Sequence, residues 1–151
     1  MKPNKYSARF VLMVSFFLVG CNLDQPWEEE ATEISKYISD HNITTQPLAS
    51  GLYYIETKTG TGTAATYGKT VVVNYTGKYL DGTTFDTGTN YSFILGMGYV
   101  IDGWDEGVAY MKEGGKATLI IPSDLAYGTY GYGGIPGYTP LVFTIELVDV
   151  K

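Results

Sequence analysis

The residues that could support chemistry between Asp81 and Tyr127 are mostly aromatic and aliphatic, and they recur at predicted turns and strand ends. Reactive side chains are nearly absent among them. The segments are Asp81-Gly82, Phe85-Asp86, Leu95-Gly96, Val100-Ile101-Asp102-Gly103-Trp104, Gly114-Gly115-Lys116 and Ala126-Tyr127-Gly128. Such a set is typical of a pocket that binds its ligand by shape and by excluding water.

Two residues limit the other chemistries open to the chain. Cys21 is the single cysteine and His41 is the single histidine among the 151 residues. Zinc sites combine several Cys and His ligands at short spacing, so we expect no metal centre. Nucleophilic catalysis with a histidine base would have to use His41, which lies outside the glycine-rich part of the chain. The sequence therefore favours a site that works with neither a metal nor a cofactor.

The net charge bears on possible partners. It is −6 for the whole chain, and it becomes −9 without residues 1–20, which contain three basic and no acidic residues. A nucleic-acid-binding protein needs patches of Lys and Arg that neutralise phosphates. We therefore expect no nucleic-acid partner.

Residues 1–20 have the features of an export signal. A basic start is followed by an apolar run at residues 10–19. This run is shorter than the roughly 20 residues that span a bilayer, but it suits the core of a signal peptide. It ends in Leu18-Val19-Gly20-Cys21, which resembles the bacterial lipobox, in which the chain is cut before the cysteine and acylated there. The alternative is an ordinary signal peptide in which Cys21 is incidental.

A lipobox predicts a membrane anchor at Cys21. Each buried CH₂ of an acyl chain contributes about 0.8 kcal/mol, and two or more chains give stable attachment. The next residue is Asn22, whereas an Asp at this position would signal retention in the enterobacterial inner membrane. We expect a lipid-anchored protein of the cell envelope, attached to the outer membrane, with its periplasmic or surface face left open.

Residues 21–50 are interpreted as a lipidated tether with a helical spacer. Pro26 and several acidic residues stand where a helix start favours them, and Ile34 and Ile38 belong to an apolar stripe at helical spacing. The pattern predicts a helix from about residue 27 to about residue 41. The acidic residues are interpreted as a solvated face, with an export or partner signal as the alternative.

Residues 51–151 are predicted to form one domain in which an antiparallel sheet packs around one short helix, an α+β fold. Alternating apolar residues bounded by glycines indicate strands, and Asp81-Gly82 fits a type I′ hairpin turn. The predicted helix spans 103–111 and carries Trp104. The predicted strands span 52–55, 70–80, 91–95, 116–122 and 141–150.

Several motifs in this domain are specific in combination. They are Val73-Asn74-Tyr75-Thr76-Gly77, Asp81-Gly82-Thr83-Thr84-Phe85-Asp86, Phe93-Ile94-Leu95-Gly96, Val100-Ile101-Asp102-Gly103-Trp104-Asp105-Glu106-Gly107, Ala126-Tyr127-Gly128, Ile135-Pro136 and Leu141-Val142-Phe143. Together they resemble the FK506-binding-protein (FKBP) family of peptidyl-prolyl cis-trans isomerases, over about residue 52 to the last residue. The fold that this resemblance implies is the one that the strand pattern predicts.

The resemblance also implies a site. Trp104 would form the pocket floor, Asp86 and Tyr127 would supply polar contacts, and the backbone N–H of Ile101 would bind a substrate carbonyl. The residues implied as catalytic are Tyr75, Phe85, Asp86, Val100, Ile101, Trp104, Tyr127 and Phe143. Those implied for the substrate-binding rim are Tyr91, Tyr132 and Ile135.

Two segments depart from the family pattern. The segment between Asp86 and Tyr91 is shorter than in the familiar small members and lacks an Arg that often pairs with the Asp. We therefore expect Asp86 to be less fixed, or to be held by Tyr127 or by backbone donors. Residues 129–139 are rich in Gly and Tyr, which predicts a flexible flap with an extended aromatic surface.

The resemblance implies a folding catalyst that isomerises X-Pro bonds in envelope or secreted proteins. Proline-containing polypeptides would be its substrates, and macrolides of the FK506 type are candidate ligands. Two other functions stay open from the residues. One is a tethered, chaperone-like domain that holds peptides with little or no turnover, and the other is a carbohydrate-binding lipoprotein whose tyrosines stack on sugars.

Overall fold

The computed structural model describes residues 25–151. The elements in chain order are α1 (Pro26–Asp40), β1 (Tyr53–Lys58), β2 (Thr70–Tyr79), β3 (Thr84–Ile94), α2 (Asp102–Ala109), β4 (Lys116–Ile121), a 3₁₀ turn (Ser123–Leu125) and β5 (Leu141–Val150). The predicted lipobox with Cys21 lies outside the described residues. Neither α1 nor α2 is long and apolar enough to cross a membrane.

The five strands form one antiparallel sheet in the order β1-β4-β5-β2-β3. A tight turn joins β2 to β3, in which Gly82 has a φ of 88° and the Asp81 carboxylate accepts a hydrogen bond of 2.7 Å from the N–H of Thr83. Strand β5 lies in the middle, paired with β4 on one side and with β2 on the other. The predicted α+β class, an antiparallel sheet with one short helix packed on it, is confirmed.

Helix α2 lies closely against the sheet. Val108 of the helix is fully buried in one core with Leu119 of β4 and Ile145 of β5. A Cβ at Gly107 would lie 2.6 Å from Cδ1 of Leu119, whereas carbon atoms make contact at about 3.5–4.0 Å. The missing side chain thus lets the helix approach β4, and this approach brings Trp104 of the first turn into the core.

Strand β3 is longer than predicted because it contains bulges. The sequence prediction began this strand at Tyr91, since glycine and asparagine usually interrupt strands, whereas the structure begins it at Thr84. Opposite Asn74 of β2, the β3 strand has one extra residue. Asn90 adopts a left-handed φ of 53° there, and its N–H donates a hydrogen bond of 2.9 Å to Oδ1 of Asn74. Asp86 therefore lies inside a strand and does not cap a turn.

Helix α1 begins and ends within one residue of its predicted bounds, and it packs against the domain. Glu30 and Ile34, one turn apart, are its buried residues. The carboxylate of Glu30 accepts hydrogen bonds from Ser123, two residues after the end of β4. The prediction of a solvated acidic face was therefore wrong at Glu30, because its partner lies far away in the sequence.

Candidate active site

A cleft of about 510 Å³ opens beside the start of α2. Its walls come from β2, β3 and β5, from the segment before α2 and from the segment after the 3₁₀ turn. The lining residues are Tyr75, Asp86, Tyr91, Gly98, Tyr99, Val100, Ile101, Asp102, Trp104, Ala126, Tyr127, Tyr132 and Phe143. The fold thus brings together all of the predicted site residues except Phe85 and Ile135.

Phe85 and Ile135 lie beside the cleft without lining it. The ring of Phe85 packs edge-on against Phe143 at 5.6 Å and at a tilt against Tyr79 at 5.1 Å, so it supports the wall from behind. Ile135 is half-buried against the core. Its N–H and C=O are hydrogen-bonded to Tyr132 at 2.9 and 3.0 Å, which closes a tight turn in the segment that carries Tyr132.

Trp104 occupies the floor of the cleft. Its side chain is 4% exposed, and its ring meets those of Tyr75 at 4.8 Å and Phe143 at 5.2 Å, both edge-to-face. Such aromatic contacts contribute about 0.5–1.5 kcal/mol each beyond burial. The indole N–H is buried, and it has no hydrogen-bond partner within the described residues. The cleft therefore has a closely packed aromatic floor, with one unpaired donor buried within it.

Tyr75 and Asp86 face the cleft from neighbouring strands. In the register of β2 and β3, Tyr75 pairs with Gly88 and Gly77 pairs with Asp86, so both side chains share one face. The Tyr75 ring fills the space over Gly88, which has no side chain. From there its hydroxyl donates a hydrogen bond of 2.8 Å to Oδ2 of Asp86. Asp86 is thus held by Tyr75, whereas the sequence had pointed to Tyr127 or backbone donors.

Tyr75 and Tyr127, two of the five tyrosines that line the cleft, keep their protons. Burial raises the pKa of Tyr75 to about 12, and the hydrogen bond to Asp86 adds to the shift. The pKa of Tyr127 is raised by burial first and then by the nearby charge of Asp86. Both hydroxyls are therefore hydrogen-bond donors at neutral pH. Asp86 accepts the hydrogen bond of Tyr75, and its charge contributes to the raised pKa of Tyr127.

The segment before α2 is tied to the helix by Asp105. Its two carboxylate oxygens accept hydrogen bonds from the N–H groups of Gly96 at 2.8 Å and Gly98 at 3.1 Å. This connection fixes the chain that leads to Val100 and Ile101 at the mouth of the cleft. The N–H of Ile101 has no acceptor within residues 25–151, so it is available to a ligand.

Tyr127 lies just after the 3₁₀ turn, and Tyr132 lies in the loop that follows. Their rings stack at 5.8 Å with an angle of 16° between their planes. Tyr132 is 74% exposed and Tyr130 is 97% exposed, so this side of the cleft presents aromatic surface to solvent. The predicted aromatic extension of the flap is in place.

Sequence reasoning did not name four of the lining residues as site residues: Gly98, Tyr99, Asp102 and Ala126. Tyr99 and Asp102 flank Val100-Ile101, so their proximity to that motif was the available signal. Within the described residues, no group of three or more His, Cys, Asp or Glu side chains is arranged to hold a metal ion.

Residues 61–148 match the family model described as FKBP-type peptidyl-prolyl cis-trans isomerase. The matched segment begins between β1 and β2 and ends inside β5. It therefore contains every residue of the cleft, and it excludes α1 and β1.

Individual relatives agree with this match. The chain is 45% identical over 105 residues to an FK506-binding protein of Neisseria meningitidis serogroup B, covering 66% of this chain and 96% of that protein. It is 47% identical over 107 residues to the isomerase FkpA of Escherichia coli K12, with 68% of this chain covered but only 39% of FkpA. A solved peptidyl-prolyl isomerase of Pseudomonas syringae superposes with a TM-score of 0.74 at 37% identity, covering 83% of this chain and 93% of that one.

Proposed function

Because the chain belongs to the FKBP-type peptidyl-prolyl cis-trans isomerase family, we propose that its cleft isomerises X-Pro bonds in envelope or secreted polypeptides. The domain of residues 51–151 would perform this reaction. Residues 21–50 would tether it, and residues 1–20 would direct its export. FK506-type macrolides are proposed as competing ligands, since relatives carry the name FK506-binding protein.

The proposed reaction breaks no covalent bond. Rotation about the X-Pro amide loses resonance at a barrier of about 18–20 kcal/mol, and it takes tens to hundreds of seconds without a catalyst. The twisted amide has a less polar carbonyl than the planar amide. A dry aromatic cleft therefore stabilises the twisted state relative to the planar state, which is well solvated in water. Neither a nucleophile nor a metal is required.

Each part of the cleft has a role in this mechanism. Trp104, Tyr75 and Phe143 enclose the proline ring, with Val100 beside them and Phe85 supporting the wall. The N–H of Ile101 donates to a substrate carbonyl and holds the peptide in its rotated shape. The remaining groups orient or cover the substrate backbone: Asp86, Tyr91, Tyr127, Tyr132 and Ile135.

One observation carries the proposal: the floor of the cleft is a buried tryptophan surrounded by rings, and its N–H has no partner within the described residues. Buried donors are normally paired, so an unpaired one in a cleft supports a ligand-binding role. Apart from Asp86 and Asp102, the lining offers no ionisable group other than tyrosine. This composition fits a reaction that depends on desolvation.

The test uses exchange NMR to measure the rate at which a short X-Pro peptide isomerises in the presence of the purified full chain. We expect acceleration at substoichiometric protein. Asp86→Ala should lower kcat/KM about tenfold or more, because hydrogen bonds to a charged group contribute about 1.5–3 kcal/mol. Asp81→Ala is a matched control, since Asp81 lies in the β2–β3 turn and does not line the cleft. Equal rates for the two variants would remove Asp86 from the mechanism.

A folded wild type that gives no acceleration would favour the second candidate, a domain that holds peptides without turnover. The exposed rings of Tyr99, Tyr130 and Tyr132 around the cleft favour this candidate, since they can contact an extended segment. Binding of an unfolded polypeptide would then persist while catalysis is absent.

We also propose that the chain is a lipoprotein, acylated at Cys21 and anchored to the outer membrane. The support is the order of charge, apolar run, small residue and cysteine in residues 1–21. After growth with a labelled fatty acid, the wild type should carry label and Cys21→Ala should not. Equal labelling of both would refute the anchor, and fractionation of the wild type on a density gradient would test the outer-membrane assignment.

A further inference from the structure

Glu30 of α1 is a carboxylate that the fold takes out of solvent. It is 8% exposed, and the described part of the chain gives it no Lys, Arg or His partner within ion-pair distance. Instead, Oε1 accepts the backbone N–H of Ser123 at 2.5 Å and Oε2 accepts the Ser123 hydroxyl at 2.6 Å. Removing a carboxylate from water is costly unless such bonds replace its hydration. A bidentate contact of this kind specifies one position for α1.

Ser123 in turn fixes the segment that carries Tyr127. Its carbonyl oxygen accepts hydrogen bonds from the N–H groups of Ala126 at 2.9 Å and Gly128 at 2.8 Å, on either side of Tyr127. The carbonyl of Gly128 accepts the N–H of Tyr138 at 3.0 Å, which extends the connection to the end of the flap. A continuous set of hydrogen bonds therefore runs from α1 to a wall of the cleft.

The helix also faces this region directly. A crevice between the first turns of α1 and the end of the flap is lined by Glu30 and Tyr138 among others. Ile34, one turn after Glu30, is 9% exposed and belongs to the same face of the helix. The two buried residues of α1 therefore lie on one side of the helix, and the exposed Glu29 and Glu33 line the crevice beside them.

From these contacts we infer that α1 is part of the catalytic apparatus and that Glu30 is a positioning residue for Tyr127 and the flap. The residue lies outside the segment that matches the family model, 61–148. The inference rests on the proposed isomerase function only for its kinetic readout. The inference predicts that α1 helps to set the shape of the cleft. A plain spacer would set only the distance between the cleft and the membrane.

The experiment compares Glu30→Ala with Glu28→Ala in the full chain. Both remove a carboxylate from α1, but Glu28 is exposed and its side chain has no part in the contact with Ser123. Glu30→Ala should lower kcat/KM about tenfold, because small displacements of a positioning group are costly. It should also shift the ring NMR signals of Tyr127 and Tyr132 while leaving the methyl signals of Val108 and Leu119 unchanged. Glu28→Ala should do neither.

A second pair of variants keeps the inference testable if Glu30→Ala loosens the fold. Ser123→Ala removes the hydroxyl donor and should move the same tyrosine signals. Combined with Glu30→Ala, its effect should be less than additive, since both act through one contact. Unchanged Tyr127 and Tyr132 signals in a folded Glu30→Ala protein would overturn the inference, as would additive effects.

The ring signals separate this inference from the proposed function. A wild type without isomerase activity would contradict the function, yet a Tyr127 shift in Glu30→Ala would still establish the connection. An active wild type whose Glu30→Ala and Glu28→Ala variants match in rate and ring signals would contradict the connection alone.

Discussion

Replacing Trp104 by alanine is expected to lower kcat/KM for an X-Pro peptide about thirtyfold. The substitution removes the floor on which the proline ring rests, and burial of one such side chain contributes about 2 kcal/mol, which corresponds to that factor in rate. Stability should fall as well, by about 3–5 kcal/mol, because the indole packs against several rings and leaves a cavity. Exchange NMR gives the rate and urea unfolding gives the stability.

Trp27 supplies the matched control for this prediction. It is the only other tryptophan in the sequence, lies on α1 and is 54% exposed. Trp27→Ala should leave both the rate and the free energy of unfolding nearly unchanged. Trp104→Phe retains an aromatic floor and should recover most of the stability and part of the rate. If Trp104→Ala were folded and as active as Trp27→Ala, the floor assignment would be wrong.

Gly88→Ala is expected to have the second large effect, although it adds only one methyl group. The new Cβ would lie 2.4 Å from Cε1 and 2.9 Å from Cζ of Tyr75. The ring must then move by about 1 Å to reach normal contact. Trp104 packs edge-to-face against that ring. The movement should therefore break the hydrogen bond between Tyr75 and Asp86 or narrow the cleft. A misplacement of this size can lower a rate by about a hundredfold.

The stability cost of Gly88→Ala should be smaller than its catalytic cost, about 1–3 kcal/mol, as for other overpacked sites. Thr87→Ala is the control, because Thr87 is exposed on the opposite face of the same strand. In a Tyr75→Ala background the ring nearest to the new methyl group is removed, and adding Gly88→Ala should cost little further. A full additional loss in that background would show that the glycine acts through the backbone and not through Tyr75.

The sequence was sufficient to predict a strand or helix where the pattern that indicates it lies within a short segment. Alternating apolar residues predicted β2, β4 and β5, and the Gly103-Trp104 motif indicated a tryptophan on a short helix. The sequence prediction failed at β3, because glycine and asparagine normally end strands. Here Gly88 and Asn90 stay within β3, because the strand forms bulges where it pairs with β2. The hydrogen bond between Tyr75 and Asp86 was equally inaccessible, since it depends on the register between two strands.

Glu30 shows the same limit over a longer distance. Within α1 it is one of several acidic residues near the helix start, and nothing in its neighbourhood distinguishes it from the exposed ones. Its burial results from the approach of Ser123, which is positioned by the end of β4. Only the folded structure therefore distinguishes the buried carboxylate of Glu30 from the solvated carboxylates beside it.

The central place of β5 in the sheet has a consequence for how the protein is made. Because β5 is the last element in chain order, the β2–β3 hairpin and the β1–β4 pair leave the ribosome before the strand that joins them, and their inner edges stay unpaired until it arrives. Unpaired edges are templates for association with other chains. Phe143 arrives with the same strand, so the cleft acquires its last wall only when the sheet closes. A nascent chain therefore has no complete cleft, and activity begins only when β5 has paired with both of its neighbours.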